Sequence, residues 1–367
     1  MITRRRALQG GTLLAAQVAF TGGALSNSQP KTLLILGGTG FIGPHMTQEA
    51  LRLGWKVTHF NRGKRDPGGV EGVETIVGDR NGQLDGLKGR KWDVMIDNSG
   101  YVPKFVKMSS DLLAPNVGHC VFVSSISAYA DFKKANDENS PTGKLDDPNT
   151  EEVTGETYGP MKALCEQYVR AAFEGRAAIV RPGYIVGPLD PTDRFTYWPV
   201  RASRGGEMLA PGTPRDPVQV IDARDLTAWM INLADKLETG NFNAVTPPGK
   251  LTIGDIIEAS QKESAHTDTK VTWVPEDFLQ KNWKPEELDL PPWGPTKGDY
   301  AGASLTVVKH AARTGLKYRP LQETVHDTLT WFKTLPEDRQ AKLKAGLDPK
   351  KETDTLAAWH ASGEAKS

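Results

Sequence analysis

From residue 31 onward, short apolar runs alternate with stretches whose apolar residues recur every three or four positions. The runs LLIL (33–36), KVTHF (56–60), VETIV (73–77), DVMID (93–97), CVFVSS (120–125) and AAIVRPGYIVG (177–187) are largely continuous in apolar character. That pattern belongs to strands buried on both faces of a parallel sheet. Between them, FIGPHMTQEALRLG, VPKFVKMSSDLLAPN and YGPMKALCEQYVRAAFEG have a helical period. Repeated βα units of this kind predict an α/β fold, a Rossmann-type doubly wound parallel sheet. Its ligand is expected at the carboxyl ends of the strands.

Beyond about residue 188 the regularity loosens. PLDPTDRFTYWPVRASRGGEM reads as a polar, aromatic loop, and VQVIDARDLTAWMINLADK as one more strand and helix, with Asp222 or Asp225 placed to cap it. The expected organisation is a Rossmann domain over 31–188 and a smaller C-terminal substrate lobe over 189–335. The lobe includes a returning strand-helix unit at about 216–250, and a peripheral helical tail covers 336–367.

Composition adds little beyond exclusions. Among the 367 residues, Lys+Arg and Asp+Glu both number 45, so no net charge favours nucleic acid. Two cysteines, Cys120 and Cys165, are too few for a disulfide framework and read as buried thiols. The seven histidines are scattered without metal-ligand spacing, so no metal is expected. The N-terminus changes the picture more. Thr3-Arg4-Arg5-Arg6-Ala7-Leu8 is basic, Gly10 to Ala24 is small and mildly apolar, and Ala24-Leu25-Ser26 suits a signal peptidase. Residues 1–26 therefore read as a signal peptide of twin-arginine type and predict a periplasmic protein with no membrane attachment once the signal is removed. A misread signal would leave the protein cytoplasmic.

Gly37-Gly38-Thr39-Gly40-Phe41-Ile42-Gly43 follows the first strand and opens a helix. Glycines at 37, 40 and 43 let backbone N–H groups approach a pyrophosphate, and the helix N-terminus adds partial positive charge. Thr39, Phe41 and Ile42 complete this candidate coenzyme loop. The second strand ends in Phe60-Asn61-Arg62-Gly63-Lys64-Arg65. The acid that binds an NAD ribose is missing there, and three bases stand in its place. Asn61 and Arg62 therefore point to the 2′-phosphate of NADP, with NAD the alternative. Asp79, just past the third strand, is placed to receive the adenine amino group.

Tyr158-Gly159-Pro160-Met161-Lys162 puts a phenol and an ammonium four residues apart, on one helix face, with Pro160 expected in the first turn. A free tyrosine titrates at about 10, and a neighbouring lysine cation is expected to pull that value down toward working range. Val123-Ser124-Ser125-Ile126-Ser127-Ala128-Tyr129 ends the fifth strand at the same edge of the sheet. A serine hydroxyl there would bind a substrate oxygen while Tyr158 gives or takes its proton.

GGTGFIG, SSISAY and YGPMK in this order, followed by RPGYIVGP, resemble an extended short-chain dehydrogenase/reductase of the NAD-dependent epimerase/dehydratase type. The resemblance spans roughly residues 31 to 250. It implies Ser125 as the catalytic serine, Tyr158 as acid/base, and Lys162 as both catalytic residue and holder of the nicotinamide ribose. It also implies a homodimer through the Tyr-x-x-x-Lys helix and its neighbour. Met161 departs from the serine or threonine common at that position, and the loop GPLDPTDRFTYWP is unlike a typical sugar-nucleotide site. On this fold Tyr129, Arg194, Tyr197 and Trp198 are candidate contacts for a small-molecule substrate.

The expected activity is reversible hydride transfer on a secondary alcohol or carbonyl of a sugar-like molecule, by an epimerase or oxidoreductase with tightly held coenzyme. Export would deprive the enzyme of an NADPH supply. A reaction that returns the hydride, in a protein loaded with coenzyme before twin-arginine export, removes that conflict. The alternatives are an ordinary cytoplasmic NADPH-dependent carbonyl reductase, or a non-catalytic relative binding nucleotide or RNA.

Overall fold

The computed structural model describes residues 29–64, 70–264 and 268–363. The expected signal peptide and Arg65 lie outside the described residues. Six strands alternate with helices through the first half: β1 (Thr32–Leu36), β2 (Lys56–Asn61), β3 (Glu74–Val77), β4 (Trp92–Asp97), β5 (Val117–Val123) and β6 (Ala177–Pro182). With them run α1 (Gly43–Arg52), α2 (Pro103–Leu113) and α3 (Gly155–Ala172). After β7 (Tyr184–Val186) come α4 (Tyr197–Ala202), β8 (Glu207–Pro211), β9 (Val220–Asp222), α5 (Ala223–Asp235) and β10 (Gly240–Ala244). The remaining elements are α6 (Ile253–Glu263), β11 (Lys270–Val274), α7 (Glu276–Asn282), α8 (Lys309–Arg313), α9 (Leu321–Lys333), α10 (Glu337–Ala341) and α11 (Pro349–Ala361).

Seven strands form one parallel sheet in the order β10-β6-β5-β4-β1-β2-β3. The fold is the Rossmann-type doubly wound α/β fold. Successive residues of β1 serve opposite faces: Leu33 and Ile35 pack with α1 and α5, whereas Leu34 and Leu36 pack with α2 and α3. Both faces are thus covered, which is why the strands read as unbroken apolar runs. Cys120 and Cys165 are buried, free thiols in the second of these layers.

One expectation about the strands needs correction. The run 177–187 is two strands, because the chain leaves the sheet at Gly183, where a Cβ would meet Val245 at 2.5 Å. β7 then pairs with β9 in a separate two-stranded sheet. The strand and helix expected at about 216–250 form as β9 and α5, and the seventh strand of the main sheet is β10, which follows them. Asp222 caps α5 by accepting from the Arg224 N–H at 2.9 Å. α5 and β10 share the core of the sheet, so the 223–244 stretch packs with the Rossmann layer and not with the lobe.

A second core joins α4, β8, α6, β11, α7, α9 and α11, with Trp198, Trp283, Trp293 and Trp359 buried in it. The C-terminal residues are therefore not a peripheral tail. Leu356 and Trp359 are buried there, and the Glu352 carboxylate binds Arg201 at 2.7 Å and accepts from the Leu209 N–H at 3.0 Å. Among the described residues no helix is long and apolar enough to cross a membrane.

Candidate functional site

A cleft of about 2120 Å³ opens at the carboxyl ends of the strands. One wall is the glycine loop. Gly37 has φ +87°, in the left-handed region that glycine enters without strain. Gly38 and Gly43 are needed for close packing: a Cβ on Gly38 would sit 2.5 Å from the His59 ring, and one on Gly43 would sit 2.2 Å from the Gly38 carbonyl oxygen. Thr39, Gly40, Phe41 and Ile42 line the cleft. No side chain caps α1, so its N-terminal partial charge is left for a ligand.

At the end of β2, Arg62 and Lys64 are exposed along the same cleft. Asn61 accepts from the Gly63 N–H at 2.7 Å through Oδ1, while its buried Nδ2 has no partner. An orphaned buried donor beside two exposed cations suits a phosphorylated ribose. Asp79 also lines the cleft and accepts from the Asn81 N–H at 3.2 Å. The residue after it, Arg80, was not singled out by sequence reasoning. Its guanidinium is bidentate on the buried Asp97 at 2.8 Å and donates to Ser99 and Ser109. It ties the loops after β3 and β4 together under the cleft floor. These features fit a dinucleotide.

Ser125 lies just past β5 and accepts from the Ser127 N–H at 3.1 Å, capping a single 3₁₀ turn. Its hydroxyl also acts on the Tyr158 phenol, favouring the ionised form. Its neighbour Ser124 is committed elsewhere, donating to the buried Glu166 carboxylate at 2.6 Å. That carboxylate in turn is clamped by Arg181 at 2.6 Å. Thr154 starts α3 with a reciprocal capping box to Thr157. Gly159 lets the helix dock on the serine turn, since a Cβ there would stand 2.1 Å from the Ser127 carbonyl oxygen.

The early cap corrects the expectation for Pro160. α3 begins three residues before Tyr158, so Pro160 lies inside the helix and not in its first turn. A second correction concerns the phenol. Lys162 donates to the carbonyls of Gly100 and Val123, both at 2.6 Å, and is not among the largest influences on Tyr158. Burial pushes the Tyr158 phenol up, Tyr101 beside it (ring centroids 6.3 Å apart) adds to that, and Ser125 and Arg194 pull in the other direction. Burial likewise pushes Lys162 down to about 8. Two of the three ammonium hydrogens are used, and the residue lines the cleft.

Of the four candidate substrate contacts, the structure brings only Arg194 to the cleft. Tyr129 is 3% exposed and donates to Asn243 at 2.6 Å, bracing the loop after the serines. Tyr197 and Trp198 are buried in the lobe core, where Trp198 donates to the Pro291 carbonyl at 2.9 Å. These three are packing residues because α4 turns its aromatic face inward. Sequence reasoning missed the far wall altogether, where Asp289, Tyr300, Ser304 and the segment Lys344-Ala345-Gly346 line the cleft.

A sequence-family model described as "Male sterility protein" (NAD_binding_4) matches residues 105–222. None of the curated proteins matches. Among solved structures, the chain resembles UDP-glucose 4-epimerase from Thermotoga maritima, with UDP-glucose, at 16% identity and TM-score 0.58, over 82% of this chain and 98% of that one. It resembles UDP-glucuronic acid 4-epimerase from Bacillus cereus, in complex with NAD, at 16% identity and TM-score 0.57, with the same coverage. The Bordetella bronchiseptica enzyme WbmH, in complex with NAD+, matches at 15% identity and TM-score 0.58, over 83% and 99%. At these identities the likeness defines the fold.

Proposed function

We propose that this chain is an NAD(P)-dependent epimerase or oxidoreductase that acts by reversible hydride transfer on a secondary alcohol or carbonyl of a sugar-like molecule. One observation carries the reading: Ser125, Tyr158 and Lys162 converge on the cleft that the glycine loop and Arg62 also line. Bound nicotinamide would supply the hydride donor or acceptor. Ser125 would hydrogen-bond the substrate oxygen, and Tyr158 would give or take its proton. Lys162 would hold the nicotinamide ribose with its remaining N–H. Arg62 and Lys64 favour NADP over NAD, because among the described residues the end of β2 brings these cations to the cleft. The named ligands of the structural neighbours, UDP-sugars and NAD, support a sugar-like substrate.

The basic N-terminus is read as a twin-arginine signal. A periplasmic enzyme has no external reductant, which favours a reaction that leaves the coenzyme as it began. Coenzyme binding would then precede export.

The test uses the full chain and its Tyr158→Phe variant. Native mass spectrometry on protein recovered from the periplasm should show one NADP(H) per chain. Tyr158→Phe should keep that coenzyme and lose roughly a hundredfold or more in turnover. Protein that binds neither NADP(H) nor NAD(H), or a variant with unchanged turnover, would overturn the reading. Protein retained in the cytoplasm would overturn the export alone.

A further inference from the structure

Arg194 stands apart from the other arginines around the two cores. Arg80, Arg181, Arg201 and Arg339 each hold a carboxylate within 3 Å. Arg194 lines the cleft, and its one protein hydrogen bond runs from Nε to Thr192 Oγ1 at 3.1 Å. Its two terminal nitrogens have no hydrogen-bond partner among the described residues, and the Asp190 and Asp289 carboxyls act on its charge without bonding it. The guanidinium lies over the Tyr184 ring at 5.0 Å, which fixes its plane. Tyr184 itself lines the cleft.

The loop that carries Arg194 is held from far away in the chain. Asp193 has φ +61° and a fully buried side chain, a conformation that a non-glycine residue keeps only when its surroundings impose it. Arg339 binds both carboxylate oxygens at 2.6 and 2.7 Å, the Lys344 N–H donates to one of them at 2.8 Å, and Lys344 Nζ donates to the Pro191 carbonyl at 2.9 Å. The C-terminal segment thus straps down the residue next to Arg194. A rigid fork with two free N–H₂ groups facing a ligand cleft is a built receptor for a planar anion.

We propose that Arg194 binds a carboxylate on the substrate, so that the substrate is a sugar acid or a related hydroxy acid. The inference rests on the oxidoreductase or epimerase reading and deepens it. The place fits the chemistry, since the Arg194 charge reaches the Tyr158 phenol. Arg194 and Tyr158 line the same cleft, so one bound molecule can meet both. A single negative charge suits the site better than a phosphate dianion, because Glu286 and Asp289 line the same cleft.

The test titrates matched probes into the NADP+-loaded full chain by calorimetry: D-glucuronate against D-glucose, D-galacturonate against D-galactose, and D-glucose 6-phosphate as the dianion. At least one acid should bind roughly ten- to a hundredfold tighter than its neutral partner, as expected for a charge-assisted hydrogen-bonded pair. Arg194→Gln should abolish that preference, and Arg194→Lys should restore part of it. Coenzyme affinity, measured on the same samples, should stay unchanged and shows that each variant is folded. Equal affinity within both pairs, a preference that survives Arg194→Gln, or tighter binding of the phosphate would each overturn the assignment. Failure to bind coenzyme would instead sink the underlying reading, so the two failures are distinguishable.

Discussion

Replacing Lys162 by methionine isolates the cost of keeping a cation under the cleft floor. The residue is 3% exposed, its ammonium is bound to the Gly100 and Val123 carbonyls, and burial lowers its pKa from 10.5 to about 8. Between those values the unfolded chain holds a proton that the folded chain has lost. Stability therefore rises with pH through that window, and the contribution is absent below the folded pKa. At about 1.4 kcal/mol per pH unit, the full change is about 3 kcal/mol.

Methionine has similar length and does not titrate. Losing two hydrogen bonds and the contact of the ammonium with the Phe122 ring, 4.5 Å away, shifts the variant's stability by an offset. That offset does not depend on pH, so the slope of the difference reports Lys162 alone. Cys165 is pushed from 9.0 up to about 12 by burial, so its own effect, a loss of stability as pH rises above 9.0, is common to both proteins and cancels in the difference. Urea unfolding of coenzyme-free protein, followed by tryptophan fluorescence from about pH 7 to about pH 11, gives the two stability curves. The wild-type protein should gain about 3 kcal/mol on Lys162→Met across that range. A flat difference would show that Lys162 keeps its ordinary pKa when folded, and the account of a marginally held cation would fail.

Arg62→Ala should weaken NADP+ binding roughly ten- to a hundredfold and leave NAD+ nearly untouched, measured by calorimetry. Equal losses for both would refute the 2′-phosphate assignment. Gly159→Ala should cost about 1–3 kcal/mol in thermal unfolding, because the new Cβ stands 2.1 Å from the Ser127 carbonyl oxygen. Turnover should fall further than coenzyme affinity, since the serine turn must move; an unchanged melting temperature would disprove the tight docking. Glu352→Ala leaves Arg201 buried without its partner, and should cost about 3–5 kcal/mol in urea unfolding. A loss under about 0.5 kcal/mol would mean that α11 is peripheral after all.

The parts of this protein legible in its sequence are those fixed by neighbours along the chain. The glycine loop announces itself because Gly37 needs a left-handed backbone and Gly38 and Gly43 need missing side chains, all within one turn. Strands β1, β4 and β5 read clearly because both of their faces are buried. β10 was missed for the opposite reason. Its sequence, GNFNA, has the composition of a turn, and only pairing with β6 and the partners of its buried Asn243 make it a strand. Lys162 was misread in the same way. Spacing along α3 suggested a phenol partner, whereas the carbonyls that hold its ammonium come from 62 and 39 residues away. Tyr197 and Trp198 look like loop aromatics until α7, α11 and Trp293 supply the core that buries them.

The same division runs through the cleft. The coenzyme wall is built from consecutive βα units, so its chemistry can be read from local motifs. The opposite wall is assembled from residues near 184–194, 285–304 and 344–346. Those segments are joined by the Asp193 bonds to Arg339 and Lys344 and by the packing of Gly346 against the Tyr197 ring. A substitution on the coenzyme wall should therefore change which nucleotide is held, and by how much. A substitution in the strap should act through the angle of the 190–194 loop, moving substrate affinity while coenzyme affinity stays constant. Asp193 is the joint of that arrangement. On the proposed reading, substrate specificity depends on contacts 146 and 151 residues away from Asp193 along the chain.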